Sequence, residues 1–328
     1  MNVALYILAF FLTSNIKAQK TEFHIENDFL TPRLSGKPAD GEFSSGLKLK
    51  VPLKALNPDY RDKVLDYNDG IENLSTFRLT LGQNIFTPRD RESEEPVLDD
   101  IPYTGHAYLG IECQEVEPPN LKSKGRVPWM GTTELSLGVR GSAALGEEVQ
   151  NGVHPLVGSD EVKGWDNQSP NEFAVNLSHQ QHFLLDVTLK DRAEIYGNIG
   201  GNVGTLSNYL NTGLLLRLNL AGEYSDLADS SFQLIRPSNS TSRPKDYSLS
   251  LNAGVELRHV FSNSLIEGSY FHGSDSDLDS EEWVHEFRVG PELRYKNCSL
   301  TFQYIHRSEE SEDLGSHGFG AITFEINK

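Results

Sequence analysis

The sequence predicts an all-β protein: an antiparallel transmembrane β-barrel of twelve strands with a short helix in an extracellular loop. Three observations predict it. Residues 3–13 form one apolar run, too short to span a bilayer as a helix but matching the apolar core of a secretory signal. Beyond residue 20, long segments alternate between apolar and polar side chains. Tight polar turns alternate with longer acidic loops, an asymmetry that bacterial outer-membrane barrels share.

The apolar run is followed by Ser14-Asn15 and then Lys17-Ala18-Gln19. Cleavage after Ala18 makes residues 1–18 a signal peptide and residues 19–328 the barrel, exported to the bacterial outer membrane. The 328-residue chain carries a formal net charge of −18, and only 37% of its residues are hydrophobic. That charge repels a phosphate backbone, so nucleic acid is excluded as the obvious partner. Gly (28) and Pro (15) are ordinary, which argues against a collagen-like or disordered chain. Cys113 and Cys298 are too few for a disulfide framework, and whether they pair is left open. A monomer is expected.

Period-two alternation is clearest in residues 247–258. Tyr247, Leu249, Leu251, Ala253, Val255 and Leu257 share one face, and Ser248, Ser250, Asn252, Gly254, Glu256 and Arg258 the other. The pattern recurs at Leu47/Leu49/Val51, Leu135/Leu137/Val139, Leu214/Leu216/Leu218/Leu220 and Phe287/Val289/Leu293. Many of these segments reach ten residues, where soluble strands average about 5–6. In hydrocarbon every backbone amide needs an internal partner, and a closed sheet supplies one without leaving an edge. The competing reading is a secreted sandwich or lipocalin-like barrel with apolar residues inward. The many charges on the polar face of long strands argue against it.

Residues 189–192, 261–264 and 295–298 read as tight turns, and 87–100 and 273–282 as long loops. Thirteen candidate strands emerge. A single-chain bacterial barrel has an even number, so the interrupted stretch 221–246 is discounted and twelve remain. Residues 142–158 break the alternation with helical spacing. Gln150 and His154, four apart, share a face, and Pro155 should end or kink the helix at His154.

Three clusters could carry chemistry. Glu26-Asn27-Asp28 ends the first strand and gathers hard oxygen ligands suited to Ca²⁺ or Mg²⁺, although the same residues also describe a solvated strand end. Ser44-Ser45-Gly46 opens the second strand and would bring a hydroxyl near Asp28 across a hairpin. The third is the helix with Gln150 and His154, followed by Lys163-Gly164-Trp165-Asp166-Asn167-Gln168. An imidazole titrates near neutral pH, which suits a general base. A plain rim helix is the bland alternative.

These residues, with Phe43-Ser44-Ser45-Gly46, Gly82-Gln83-Asn84-Ile85-Phe86-Thr87-Pro88 and Pro102-Tyr103-Thr104-Gly105, resemble the lipid A 3′-O-deacylase family of outer-membrane barrels. The most specific stretch is Leu145 to His154 (LGEEVQNGVH) followed by Gly164-Trp165-Asp166-Asn167-Gln168. The motifs cover about residues 26–168. Beyond them only the barrel pattern supports the match.

The resemblance implies a Ca²⁺-dependent ester hydrolase that removes the 3′-linked acyloxyacyl chain of lipid A, with lipopolysaccharide and outer-membrane lipids as its partners. It implies His154 as general base, Asp28 as main cation-site carboxylate and Asn27 as a residue shaping the site. Gln150 would orient water or substrate. Ser44 stands where the family has Thr and would keep the hydroxyl near the cation while losing the methyl. The family's basic residue after the Thr-Pro motif would be Arg89 or Arg91, and the C-terminus, ending Asn327-Lys328, lacks the usual terminal aromatic. Two other readings remain: a non-catalytic barrel, either pore or surface-binding protein, and a barrel phospholipase. A serine hydrolase elbow, Gly-x-Ser-x-Gly, is absent near any strand-to-helix turn.

Overall fold

A computed structural model of the chain describes residues 21–30, 45–53, 74–90, 93, 95–96, 99–117, 123, 126–157, 161–189, 192–222, 247–272 and 276–326. The expected signal peptide, Ser44 and Arg91 lie outside these residues, as does most of the interrupted stretch, residues 223–246.

Twelve strands form one closed antiparallel barrel. They are β1 (Thr21–Asn27), β2 (Ser45–Pro52), β3 (Leu74–Phe86), β4 (Thr104–Val116), β5 (Trp129–Arg140), β6 (Glu172–Thr188), β7 (Ala193–Gly204), β8 (Ser207–Gly222), β9 (Tyr247–Asn263), β10 (Trp283–Tyr295), β11 (Cys298–Arg307) and β12 (His317–Ile326). Each strand pairs with its sequence neighbours, and β1 closes on β12 from Thr21↔Ile326 to Asn27↔Gly320. Closure pairs the backbone of both terminal strands and leaves the sheet no edge.

The alternation sorts the side chains as the sequence analysis expects. Leu109, Ile111, Leu135, Leu137, Leu177, Leu214 and Val255 are exposed on the outer wall. Charged and polar side chains are buried inside. Arg78 bridges Glu112 and Glu22, and Lys50 lies 2.5 Å from Glu112. Arg217 pairs with Glu292 at 3.3 Å, and Arg307 with Glu286 at 2.8 Å. A greasy exterior around a charged interior inverts a soluble barrel and belongs to a lipid-embedded one.

Among the described residues, apolar clusters pack near both ends of the barrel. Val116, Val127, Met130, Tyr196 and Leu215 pack together at one end. At the other, Ile101, Ile266, Leu278 and Leu314 come from three separate connections and pack with Phe86. The connection 264–282 also reaches across the mouth: Arg140 on β5 donates to the Gly268 carbonyl at 3.2 Å. Beneath this plug a chamber of ≈ 260 Å³ is lined by Glu26, Lys48, Asn84, Arg258 and Arg307, among others.

Two local expectations need correction. Residues 261–264 are no tight turn: β9 runs through Asn263, and residues 264–282 form one long connection. Its bulky neighbours, Phe261 and His259, meet edge to face, with ring centroids 4.7 Å apart, and continue the strand. The helix, α1 (Gly146–Val157), does not end at His154 but continues through Pro155. Proline there falls in the last turn, where it forfeits a single backbone hydrogen bond. The Arg192 N–H donates to the Leu189 carbonyl at 3.3 Å between β6 and β7, where a tight turn is expected, and the turn at 295–298 also stands where expected.

Candidate active site

The segment between β5 and β6 folds back onto the outside of the barrel. Glycine makes this possible at two places. Gly141 turns the chain out of β5 at φ 93, and a side chain there would strike the Ser169 and Pro170 carbonyls. Gly105, facing outward on β4, lets the loop touch the wall: a Cβ on it would lie 3.1 Å from the Ala144 Cβ and 3.2 Å from the Gly146 nitrogen. Gln83, a polar residue among the outward Leu79, Leu81 and Ile85 of β3, donates to the Ala144 carbonyl at 2.7 Å. Helix α1 consequently packs against β3 and β4.

Trp165 locks the helix down. Its ring is buried with Ile85, Tyr103 and Val162, and its indole N–H donates to the Gln150 Oε1 at 3.0 Å. Gly164 accommodates the Tyr103 ring, which any side chain there would meet at 2.4 Å. Asn151 clamps the returning segment of the loop, accepting from the Val162 N–H at 3.0 Å and donating to its carbonyl at 3.1 Å. Gln150 is therefore buried toward the wall, and His154, one turn later, is half-buried.

Asn27 is the last residue of β1, on the outward face, and Asp28 opens a 3-10 turn, Asp28–Leu30. That turn sits on Gly320 of β12, whose missing side chain makes room for the Leu30 carbonyl. The register places Asn27, Ser45, Ile85 and Gly105 in one row across β1 to β4. Two strand spacings of about 4.8 Å put Asn27 roughly 10 Å from Ile85, on which Trp165 rests. The end of β1 and the helix thus share one face and one end of the barrel and flank the start of β2. Ser44, next to Ser45, lies outside the described residues.

Glu26 does not join this group. Strand alternation turns it into the chamber, where it pairs with His24 at 2.6 Å. The oxygen-rich cluster read from the sequence is thereby divided between two sides of the wall. The described donors that remain, the Asn27 amide and the Asp28 carboxylate, are hard oxygens of the kind Ca²⁺ takes. Among the described residues no group of three or more His, Cys, Asp or Glu forms a ready metal site. A cation here would complete its shell from backbone carbonyls, water or substrate.

Gln83 and Gly105 were present in the sequence motifs but carried no role there. Parity would have singled out Gln83, because a glutamine on a face of Leu and Ile needs a polar partner.

The family model of the outer membrane protein LpxR matches residues 3–327, nearly the whole chain. The chain belongs to the LpxR family. LpxR from Salmonella typhimurium superposes with a TM-score of 0.75 at 19% identity, covering 94% of this chain and 100% of that one. At that identity the likeness establishes a common fold. The β domain of the Bordetella autotransporter BrkA aligns at a TM-score of 0.45 and 9% identity, covering 94% of this chain and 98% of its own. The translocator domain of the autotransporter NalP from Neisseria meningitidis gives 0.44 and 7%, covering 98% and 93%. No curated protein matches the sequence. LpxR-family membership places the barrel in the outer membrane, so the exposed leucines of its wall face outer-membrane lipid.

Proposed function

We propose that this LpxR-family barrel hydrolyses the ester linking the 3′ acyloxyacyl chain to lipid A. One observation carries the reading: the helix with Gln150 and His154 is docked on the lipid-facing wall, beside the end of β1 with Asn27 and Asp28, and not in the lumen. An amphiphile anchored in the leaflet reaches such a site sideways without leaving the membrane. Buried apolar clusters packed near both ends of the barrel weigh against the pore reading.

In this reading His154 removes a proton from water as the water attacks the ester carbonyl. The resulting imidazolium returns that proton to the departing sugar oxygen, giving a free carboxylic acid and a 3′ hydroxyl. Asn27 and Asp28, with the Ser44 hydroxyl, would hold a Ca²⁺ ion. When bound, that ion supplies stabilisation for the negative charge developing on the carbonyl oxygen. The Gln150 carbonyl is committed to Trp165, so its amide N–H group is the part available to water or substrate. Lipid A phosphates and an acidic protein repel each other, and a bound cation offsets that repulsion locally.

The test is acyl release by the purified protein in detergent with Ca²⁺, from lipid A and from phospholipid in parallel. Release of the acyloxyacyl unit from lipid A, with phospholipid left intact, is the expected result. Release from phospholipid alone would make this a barrel phospholipase, and release from neither would leave it a non-catalytic barrel.

A further inference from the structure

The outward face of β6 reads Phe173, Val175, Leu177, His179, Gln181 and Phe183. Phe173 is an exposed aromatic at the loop end. Phe183 pairs across the ladder with Trp129 at the other end. Aromatic girdles of this kind bound the apolar band of an outer-membrane barrel, about 25 Å tall. His179 and Gln181 therefore lie between the girdles, on a wall that otherwise meets hydrocarbon.

They form a compact cluster. The His179 Nδ1 and the Thr133 Oγ1 are 2.8 Å apart across the β5–β6 ladder. The Gln181 amide lies over the bare backbone of Gly131, with its Oε1 2.9 Å from where a Cβ would stand, and the His179 ring touches the same spot. Glu115 of β4, exposed and outward, shares the Gly131–Gln181 row. Neither Gln181 nor Glu115 has a hydrogen-bond partner among the described residues. Polar groups on a lipid-facing wall are costly and mark contacts that satisfy them. Gly131 gives the Gln181 amide and the His179 ring room to lie flat against the sheet, side by side on the wall.

We propose that this patch on β4–β6 is where two copies of the chain associate side by side in the outer membrane. A two-fold interface must be complementary to itself. The patch meets that demand, since a glutamine amide both donates and accepts and can pair with its own copy. An imidazole and a carboxylate within one patch can likewise face each other across the axis. A lipid phosphate is the weaker fit: headgroups lie outside the apolar band, and the Glu115 carboxylate repels them. This association is independent of the reaction proposed above and departs from the monomer expected from the sequence.

The experiment is sedimentation of the purified full chain in a mild non-ionic detergent across micromolar concentrations, with native mass spectrometry of the same samples. The variants are His179→Leu with Gln181→Leu, and Gln181→Leu alone, each an apolar replacement on a lipid-facing wall. Heat-modifiable migration on gels confirms that every barrel is folded. The wild type should form a two-copy species that dissociates on dilution. The double variant should shift that dissociation constant at least tenfold toward monomer, and the single variant should fall between. A wild type that is monomeric throughout would overturn the proposal, as would a double variant that dimerises equally. A monomer retaining one phospholipid that the double variant loses would overturn it in favour of a lipid site.

Discussion

The Trp165 indole N–H donates to the Gln150 carbonyl oxygen at 3.0 Å, joining two buried side chains fifteen residues apart. This bond ties the helix with His154 to the loop that follows it. Trp165→Phe keeps the ring packing with Tyr103 and Ile85 but strips the Gln150 oxygen of its donor, at a cost of about 1–3 kcal/mol. The expected outcome is faster proteolysis within residues 141–171 and reduced acyl release, with heat-modifiable barrel folding unchanged. Unchanged protease resistance and unchanged rate would show that the bond does not hold the helix.

Gly105 is the contact through which the loop meets the wall. Gly105→Val should push Ala144 and Gly146 away, because even a Cβ already lies at 3.1–3.2 Å from them. Activity should fall while the barrel still folds. The opposite effect is expected at Gly152, whose missing side chain would point into open space. Gly152→Ala should stabilise the helix by about 0.5–1 kcal/mol without loss of activity, visible as slower amide exchange in residues 146–157.

Glu112 stands between Arg78 and Lys50 inside the barrel. Glu112→Leu leaves both cations buried with less compensation, and removing one partner of a buried ion pair costs about 3–5 kcal/mol. The urea concentration that abolishes heat-modifiable migration should drop markedly. A midpoint equal to that of the wild type would mean the interior charges are already served by water.

Asp28 tests the cation. Asp28→Ala should abolish stimulation by Ca²⁺ while leaving the barrel folded, and a chelator should silence the wild type to the same degree. Ser44→Thr should be tolerated and Ser44→Ala should slow the reaction. Full activity in chelator would remove the cation from the account.

Much of the fold was legible because strand parity is a local property. In β9 the alternation of residues 247–258 places Ser248, Ser250 and Asn252 inside and Leu251, Val255 and Leu257 outside. The same rule, applied at Glu26, would have moved that carboxylate into the chamber and away from Asn27. Sequence adjacency obscured it. What local pattern cannot carry is the docking of the helix, since Gln83 reaches Ala144 from 61 residues away. The long β9–β10 connection was likewise hidden, because its anchor, Arg140, belongs to β5.

Mass spectrometry of lipid A from cells expressing the wild type or His154→Ala bears most directly on the claim that an imidazole on the outer wall drives ester hydrolysis. The wild type should yield lipid A lighter by one acyloxyacyl unit. The variant, folded and inserted to the same level, should convert at least 10²-fold less, the smallest share a general base ordinarily contributes. Equal conversion by the variant, or intact lipid A from the wild type, would contradict the account.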